Sequence, residues 1–268
     1  MTYASLSRGA KAGGINPSLP NGALGVRSLY VRAETAEDAE LGIKSSWLNH
    51  RLTANANLFW TEVKNYQATL LESVGATNTF IQVLTNIGKV RTRGVETEVT
   101  AVPIDGLTLQ LSGSYNNAVY LVYDNAPCSA ELLAPTSAAQ GSLICNLSGK
   151  PVVGAPTWVV NPGASWPQHL TGSLTGDAEA NYSWRSKQFG SADVSEYAQI
   201  PSFGVLNVSY GVSSPFDGDK NWSVSLWSNN VANKHYYTGG IVVASSTYQY
   251  SLYPGLPRTY GITFRVKL

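Results

Sequence analysis

The sequence predicts an all-β protein whose antiparallel strands form a transmembrane barrel. Apolar and polar residues alternate over most of the 268 residues, several alternating segments are long, and the connections between them alternate between short and long. A period of two places successive side chains on opposite faces of a strand. A strand that crosses a bilayer at a tilt needs ~9–11 residues, whereas strands of globular proteins usually have ~5–6.

The final segment of the chain shows the alternation most clearly. From Tyr260 to Leu268 every second residue is apolar, and the residues between are glycine, threonine, arginine and lysine. The pattern recurs along the chain and predicts about ten strands. They cover residues 1–10, 38–48, 51–62, 85–102, 107–119, 156–166, 170–186, 203–213, 221–230 and 258–268. The run Glu-Thr-Ala-Glu-Asp-Ala-Glu within residues 33–41 is expected to be a polar loop.

The connections between the predicted strands alternate in length. Short turns are expected at 49–50, 103–106, 167–169 and 215–220, and long connections near 11–37, 63–84, 120–155, 187–202 and 231–257. In bacterial outer-membrane barrels the short turns face the periplasm and the long loops face the exterior. Counting strands back from Leu268 places every short turn at one end of the sheet, as that arrangement requires.

Aromatic and charged residues fit a barrel with lipid outside and water inside. Six aromatic residues fall at or near strand ends, where the membrane–water interface attracts amphipathic rings. They are Trp47, Trp60, Tyr115, Tyr182, Trp184 and Trp222. Six charged residues share the opposite face and predict a wet or plugged lumen. They are Glu96, Glu98, Asp177, Glu179, Arg185 and Arg265. The alternative is a soluble sandwich whose core the aromatic rings fill.

Composition argues against several classes of protein. Charged residues make up 13% of the chain, about half the ~25% of an average globular domain. Because 18 Lys and Arg residues balance 17 Asp and Glu residues, nucleic acid is not an expected partner. No apolar run approaches the ~20 residues of a membrane-spanning helix. Residues 1–25 show no pattern of a signal peptide.

Residue types suited to catalysis or metal binding do not converge in the predicted topology. His50, His169 and His235 fall in different turns and loops, so we expect neither a metal site nor a cofactor. No nucleophile elbow and no phosphate-binding glycine loop occurs. Residues 217–221 begin like a calcium loop but place Trp222 where that loop needs glycine. The sequence therefore predicts a protein that is not an enzyme.

The chain has two cysteines, Cys128 and Cys145, and both lie in the longest predicted connection. Two cysteines that bracket one loop in an oxidising compartment predict a disulfide. Closing a loop of about 15–20 residues in this way contributes roughly 3 kcal/mol in the chain-entropy model. The alternative is a pair of free thiols.

Five short motifs, taken in order, resemble those of one family of outer-membrane proteins. They are Tyr3-Ala-Ser-Leu-Ser-Arg-Gly9 followed by Lys11-Ala-Gly-Gly-Ile-Asn16; Glu40-Leu-Gly-Ile-Lys44; Asn86-Ile-Gly88 followed by Arg93-Gly-Val-Glu-Thr-Glu98; Asn229-Asn-Val-Ala-Asn-Lys-His-Tyr236; and Pro257-Arg-Thr-Tyr-Gly261. One such motif is a weak signal, but five in the right order on alternating strands are a strong one. The chain resembles the C-terminal part of the barrel of TonB-dependent outer-membrane receptors.

This resemblance implies import across the outer membrane of a Gram-negative bacterium. Members form barrels of ~22 strands around a folded plug. They take up scarce nutrients such as ferric siderophores or cobalamin, and they draw energy from the TonB complex through an N-terminal box. Residues 1–268 would supply about ten C-terminal strands as a single truncated domain in contact with outer-membrane lipid. We expect such a fragment not to transport by itself. The family usually ends in an aromatic residue, whereas this chain ends in Leu268.

Ligand contact is expected in the outer connections, because binding residues concentrate in loops that a rigid scaffold positions. The expected ligand is a nutrient such as a ferric siderophore. The tyrosines of these connections are the expected contacts, namely Tyr66, Tyr120, Tyr123, Tyr236 and Tyr248.

Two other architectures remain open from the sequence: a small closed ten-strand barrel that acts as a porin or membrane enzyme, and a soluble secreted β binding protein. A soluble protein stays dispersed without detergent, whereas the receptor barrel aggregates. In gel electrophoresis without heating, a closed small barrel runs as a compact band that heating shifts. Ten strands of a larger barrel should give no such band on their own, so the shift separates the two membrane architectures.

Overall fold

The computed structural model describes residues 1–16, 29–74, 79–133, 144–218, 220–243 and 249–268. Ten long strands form one antiparallel sheet in which each strand pairs with its neighbours in the chain. This up-and-down order confirms the predicted number of strands and their alternation in direction. Within the described residues, no helix is long and apolar enough to cross a membrane.

The ten strands of the sheet are labelled in chain order. They are β1 (Thr2–Lys11), β2 (Glu34–Trp47), β3 (Leu52–Val74), β4 (Thr79–Ala101), β5 (Thr108–Val122), β6 (Trp158–Thr171), β7 (Leu174–Arg185), β8 (Phe203–Asp217), β9 (Lys220–Asn229) and β10 (Thr259–Lys267). Strands β1 and β10 are the two edges of the sheet, which does not close on itself.

The long connections carry small elements of their own. The described residues include four two-stranded pairings: Gly14–Ile15 with Tyr30–Val31, Ala126–Pro127 with Ile144–Cys145, Gln188–Phe189 with Gln199–Ile200, and Tyr237–Val243 with Gln249–Pro254. A short helix, α1, covers Ala130–Leu133, and a 3-10 turn covers Glu196–Ala198. All of these elements lie at the end of the sheet opposite the short turns.

The prediction of a polar loop over residues 33–41 is wrong. Strand β2 begins at Glu34, and its acidic side chains accept hydrogen bonds from β3. Thr61 Oγ1 donates to Asp38 at 2.6 Å, and Asn57 Nδ2 donates to Glu40 at 2.8 Å. The acidic side chains of β2 are hydrogen-bonded by side chains of β3, so residues 34–40 can form a strand without an apolar face. Hydrophobic alternation therefore could not predict this part of the strand.

Two further boundaries differ from the prediction. Strands β3 and β4 continue through most of the connection expected at 63–84, pairing as far as Val74 and Thr79. Strand β6 continues to Thr171, so the turn expected at 167–169 lies at residues 172–173. Gly172 has φ +56°, a left-handed conformation that glycine adopts without steric cost.

The register separates the strands into an apolar outer face and a polar inner face. One row across the sheet joins Leu41, Leu58, Val95 and Tyr115 by direct pairing. These outward side chains are not covered by any second layer in the described residues: Leu41 is 56% exposed and Ile262 is 71% exposed. An apolar face of this extent requires an apolar environment. The two-layer core of the sandwich alternative is therefore not what the structure shows.

Aromatic residues bracket the apolar face, and the six predicted aromatic residues point outward by register. On β6, Trp158 and Trp166 both point outward by register with Tyr115 and Ala178. Eight residues separate them, which is about 26 Å of strand at ~3.3 Å per residue. At a tilt of ~40° this spans about 20 Å along the membrane normal, close to the ~25 Å apolar band of outer-membrane barrels.

The inner face is a ladder of hydrogen-bonded polar side chains. Asn57 bonds Glu40 at 2.8 Å and Glu96 at 3.5 Å. Further along, Ser183 Oγ donates to Asn161 at 2.7 Å, and Asn161 Nδ2 donates to Ser112 at 3.4 Å. The six charged residues predicted for this face all lie on it by register. The ladder couples neighbouring strands on the side that faces away from the apolar band.

Strands β1 and β2 interlock through a tyrosine that lies over a glycine. Gly42 pairs directly with Tyr3, and a Cβ added to Gly42 would collide with the Tyr3 ring. The same tyrosine donates a hydrogen bond to Glu40. A large ring that covers a strand glycine restores the packing that the missing side chain leaves open.

We predict that Gly42→Val lowers the free energy of unfolding by about 1–3 kcal/mol, because the new methyl groups displace the Tyr3 ring. Urea titration of the full-length protein in detergent measures the change. Gly9→Val is the matched control, since a Cβ at Gly9, also in this strand pair, meets nothing within 4 Å. Equal stability of the two variants would show that the Tyr3 ring contributes nothing at Gly42.

Candidate functional site

Three long connections pack together at one end of the sheet and form what we term the loop platform. It consists of the described parts of residues 123–157, 186–202 and 230–258. Gly154 N donates to Phe189 O at 2.9 Å, which joins the first connection to the second. Because exposed loops on a rigid sheet are the usual place for binding residues, the platform is the candidate functional site.

An apolar cluster anchors the platform to the sheet. Its buried members come from β4, β5 and connection 123–157: Ile87, Val90, Tyr120, Tyr123, Ala126 and Leu147. The rings of Tyr120 and Tyr123 lie 5.0 Å apart between centroids at a tilt of 58°, a favourable edge-to-face geometry. Val63 and Tyr66 of β3 pack against the same cluster. The buried apolar contacts of this cluster are local to one end of the sheet. They hold the start of connection 123–157 against β4 and β5.

A disulfide closes part of connection 123–157. Cys128 and Cys145 are bonded to each other, with their Cα atoms 5.0 Å apart and 17 residues between them in sequence. The bond lies beside the short pairing of Ala126–Pro127 with Ile144–Cys145. The disulfide restrains the two ends of the segment that projects from the apolar cluster.

Asp193 ties the second connection to the third. This carboxylate is 3% exposed and accepts a hydrogen bond from Ser191 Oγ and one from Tyr250 Oη, the latter at 2.8 Å. Val194, the next residue, has φ +54°, which is rare for a β-branched residue. The backbone is therefore held in an unfavourable conformation by the contacts on either side of it.

Glu131 of helix α1 ties the first connection to the second. Its two carboxylate oxygens accept hydrogen bonds from Ser195 Oγ at 2.9 Å and from Glu196 N at 2.8 Å. Ser195 is fully buried and also caps the 3-10 turn by accepting from Tyr197 N. Together Glu131 and Asp193 bring all three connections into one hydrogen-bonded unit.

Like Oε1 of Gln188, the hydroxyl of Tyr123 is an unsatisfied polar group of the platform. It is buried and has no hydrogen-bond partner among the described residues. Burial raises the pKa of Tyr123 above its ordinary value near 10, and the neighbouring Tyr120 and Asp193 raise it further. The ionised form of this side chain is therefore strongly disfavoured in the folded protein.

The structure gives the predicted contact tyrosines different surroundings. Tyr120 and Tyr123 are each 2% exposed and pack within the apolar cluster. Tyr66 is half-buried against that cluster, and Tyr236 is half-buried, with its ring stacked on Phe203 at 4.6 Å. Tyr248 lies outside the described residues. Ligand contact by these five side chains stays a prediction.

Sequence reasoning missed the most exposed tyrosine of the platform. Tyr197 is 68% exposed at the surface of connection 186–202, and its ring lies 6.3 Å from that of Tyr250. It lies within a predicted loop, so the criterion used for the other tyrosines applied to it equally. Burial, which separates Tyr197 from Tyr120 and Tyr123, depends on how three connections meet and has no local signal in the sequence.

The described residues contain no group of three or more His, Cys, Asp and Glu side chains that could hold a metal ion. His50 lies in the short turn after β2, and His169 lies in β6 close to the turn at 172–173. They bond Ser46 Oγ and Gly172 O respectively, each at 2.9 Å. Both are thus at the end of the sheet remote from the loop platform.

Comparison with known proteins gives one family. The model of the family described as TonB dependent receptor-like, beta-barrel matches residues 1–231. The ferric yersiniabactin uptake receptor FyuA from Yersinia pestis is similar to 100% of this chain, which corresponds to 35% of the length of FyuA. The TM-score is 0.71 and the sequence identity is 18%. The ferric preacinetobactin receptor BauA from Acinetobacter baumannii is similar to 99% of this chain, which corresponds to 33% of the length of BauA. The TM-score is 0.62 and the sequence identity is 19%.

A third solved structure, the siderophore receptor PiuA from Acinetobacter baumannii, resembles 99% of this chain over 33% of its own, with a TM-score of 0.63 and 17% identity. This chain therefore spans about a third of the length of the receptors it matches. At these identities the likeness establishes a shared fold.

We predict opposite effects for two tyrosine-to-phenylalanine changes in the loop platform. Tyr123→Phe should leave stability at pH 7 within about 0.5 kcal/mol of the parent or raise it, because the lost hydroxyl has no partner. Tyr250→Phe should lower stability by about 1–3 kcal/mol, because it removes a donor from the buried Asp193 carboxylate. A urea titration in which cleavage of the loops by a protease reports unfolding measures the stability of both variants.

The two tyrosines also allow a test at alkaline pH. Because the folded pKa of Tyr123 is raised, its contribution is fully present below about pH 10 and is lost as pH rises beyond that value. Tyr123→Phe should therefore weaken the loss of stability between about pH 9.5 and pH 11.5. Tyr197→Phe, which removes an exposed hydroxyl, is the control. If both variants lose stability as the parent does, burial does not hold Tyr123 neutral.

Proposed function

Because this chain belongs to the TonB-dependent receptor-like β-barrel family, we propose that it forms the C-terminal part of the barrel of an outer-membrane receptor that imports a ferric siderophore. Members of the family are transport receptors rather than enzymes. Three of the solved structures it resembles are named as a ferric yersiniabactin uptake receptor, a ferric preacinetobactin receptor and a siderophore receptor. Since the chain spans about a third of each, import is the proposed activity of a receptor of that full length.

The observation that carries this proposal is the junction of an open ten-strand sheet with an ordered loop platform. The sheet has an apolar outer face and a hydrogen-bonded polar inner face. The strands of a barrel in a bilayer need these two faces, one toward lipid and one toward the lumen. The platform holds three connections at one end through Glu131 and Asp193. A surface fixed before the ligand arrives loses less conformational freedom on binding.

The proposed placement follows from the connection lengths. The short turns at 48–51 and 102–107 would face the periplasm, and the loop platform would face the exterior of a Gram-negative cell. The outer face would contact membrane lipid, and the inner face would line the lumen. Coupling to the TonB complex would run through an N-terminal segment of the receptor that lies outside these 268 residues.

The inner face would present a group of carboxylates to whatever occupies the lumen, with Lys44, Arg185 and Arg265 as basic groups on the same face. Glu40, Glu96, Glu98, Asp177 and Glu179 all point to this side by register. Because carboxylates on a low-dielectric wall focus the field into the channel, basic groups would be attracted there. A folded plug with a basic surface would fit such a wall.

We assign ligand contact first to Tyr197, the most exposed tyrosine of the described platform, and to Tyr236, which is half-buried. Aromatic side chains give large contact areas with few rotatable bonds and are frequent binding hot spots. Tyr66 and Tyr248 remain in the proposed set. Tyr120 and Tyr123 would reach a ligand only if the apolar cluster opened, so in this conformation their contribution is to hold the platform in place.

We predict that Tyr197→Ala weakens siderophore binding about ten-fold, as expected when a contact tyrosine is truncated. The measurement is binding and uptake of ⁵⁵Fe-labelled siderophores by cells that express the full-length receptor and lack their other receptors. Tyr260→Ala is the control, because Tyr260 is similarly exposed but points outward from β10. Absence of uptake of any ferric siderophore by the parent would overturn the proposed function, and unchanged binding by Tyr197→Ala would overturn only its assignment.

A further inference from the structure

A basic patch lies on the outer face of the sheet directly beyond the apolar band. It is defined by Arg8, Lys64, Lys89, Arg91 and Arg93. Register places Arg93 beside Trp60, and Arg91 beside Glu62 one row further from the short turns. Arg8 pairs with Glu37 in that same row. These charges therefore point to the side of the sheet that faces lipid, at the level where the apolar band ends.

The acidic residues of this area are already paired. Glu37 and Glu62 are the two acidic side chains on these rows, and they form salt bridges with Lys64 and Lys89 respectively. Five basic and two acidic groups leave three positive charges in excess. In the described part of the chain, neither Arg91 nor Arg93 forms a salt bridge with a carboxylate.

Both arginines are held in place by the same tryptophan. The guanidinium carbon of Arg91 lies 5.1 Å and that of Arg93 lies 5.2 Å from the centre of the Trp60 ring. Stacking on an aromatic face holds a guanidinium without using all of its N–H donors. Arg91 Nη2 also donates to Asn117 Oδ1 at 3.5 Å, which holds that guanidinium from a second side. The pair is thus preorganised and retains donors for an anion.

An apolar groove leads to the arginines from within the band. It has a volume of about 960 Å³ and is open along the outer face. Leu6, Leu41, Leu58 and Trp60 form its walls, Ala4 and Ala39 leave the space between them, and Arg93 lies at its end. Ser5 and Glu40 also border the groove, but their side chains belong to the inner face by register. Among the outward side chains of the groove, Arg93 alone is charged, so the groove suits an amphiphile.

We propose that the groove and the basic patch bind one anionic, phosphate-bearing lipid of the membrane leaflet at the loop-platform end. An acyl chain would lie between Leu6 and Leu58, and the phosphate would bind the guanidinium groups of Arg91 and Arg93. Arginine pairs match phosphate oxygens through parallel, charge-assisted hydrogen bonds. This proposal rests on the bilayer placement given under Proposed function, but it concerns the outer face rather than the nutrient ligand.

The test is native mass spectrometry of the full-length receptor in neutral detergent, titrated with phosphatidylglycerol or with phosphatidylcholine of the same acyl chains. The parent should bind the anionic lipid several-fold more tightly. Arg91→Gln with Arg93→Gln should weaken phosphatidylglycerol binding about ten-fold, to the level of phosphatidylcholine. Lys150→Gln with Lys187→Gln removes two exposed charges at the same end, outside the patch, and should change nothing.

A second variant tests the groove independently of charge. Ala39→Trp fills the space between Leu6 and Trp60 with an apolar side chain that suits the lipid-facing side. It should weaken binding of long-chain phosphatidylglycerol and leave the dihexanoyl form unchanged. Equal affinity of the parent for the two headgroups, or full binding by the double arginine variant, would overturn the proposal. Because no siderophore is present, lipid binding and nutrient import can fail separately.

Discussion

In the hydrocarbon region of a bilayer, water cannot satisfy an unpaired backbone N–H or C=O group, and each such group costs several kcal/mol. The ten strands meet this constraint by pairing in chain order, so that every interior strand is bonded along both edges. The side chains then have only two directions available, which explains why the apolar band, the polar ladder and the aromatic borders all follow a period of two. Within the described residues, β1 and β10 are each paired on one side only, so the same constraint applies to these two edges.

The loop platform follows a different rule from the sheet. It has no repeating pattern, and it is held by a small apolar cluster, one disulfide, the buried carboxylate of Asp193 and the half-buried carboxylate of Glu131. Each carboxylate bonds to residues of another connection, so the platform is ordered by long-range contacts rather than by local propensity. The strained backbone at Val194 is tolerated because Asp193 and Ser195 are both fixed on either side of it.

The sheet could be predicted from the sequence because its determinants are local. Alternation located all ten strands, but it missed Glu34–Glu40 of β2, where polar residues fill both faces, and the extension of β3 and β4 to Val74 and Thr79. The turn at Gly172 was misplaced because Pro167 and His169 resemble a turn but are accommodated within β6. The burial of Tyr120 and Tyr123 was not predictable, since it arises where β4 and β5 meet residues from a later connection. The exposure of Tyr197 has the same origin.

The three-way junction at Glu131 and Asp193 has a consequence for how such a protein can change over evolutionary time. An insertion in one connection would move the hydrogen-bond donors that the carboxylates of the neighbouring connections need. Whether a substitution is tolerated in one segment therefore depends on the sequences of the other two. Exchanging a single segment between related proteins should then fail more often than exchanging all three together. The surface of the loop platform would therefore change by coordinated replacement of all three connections rather than by independent changes in each.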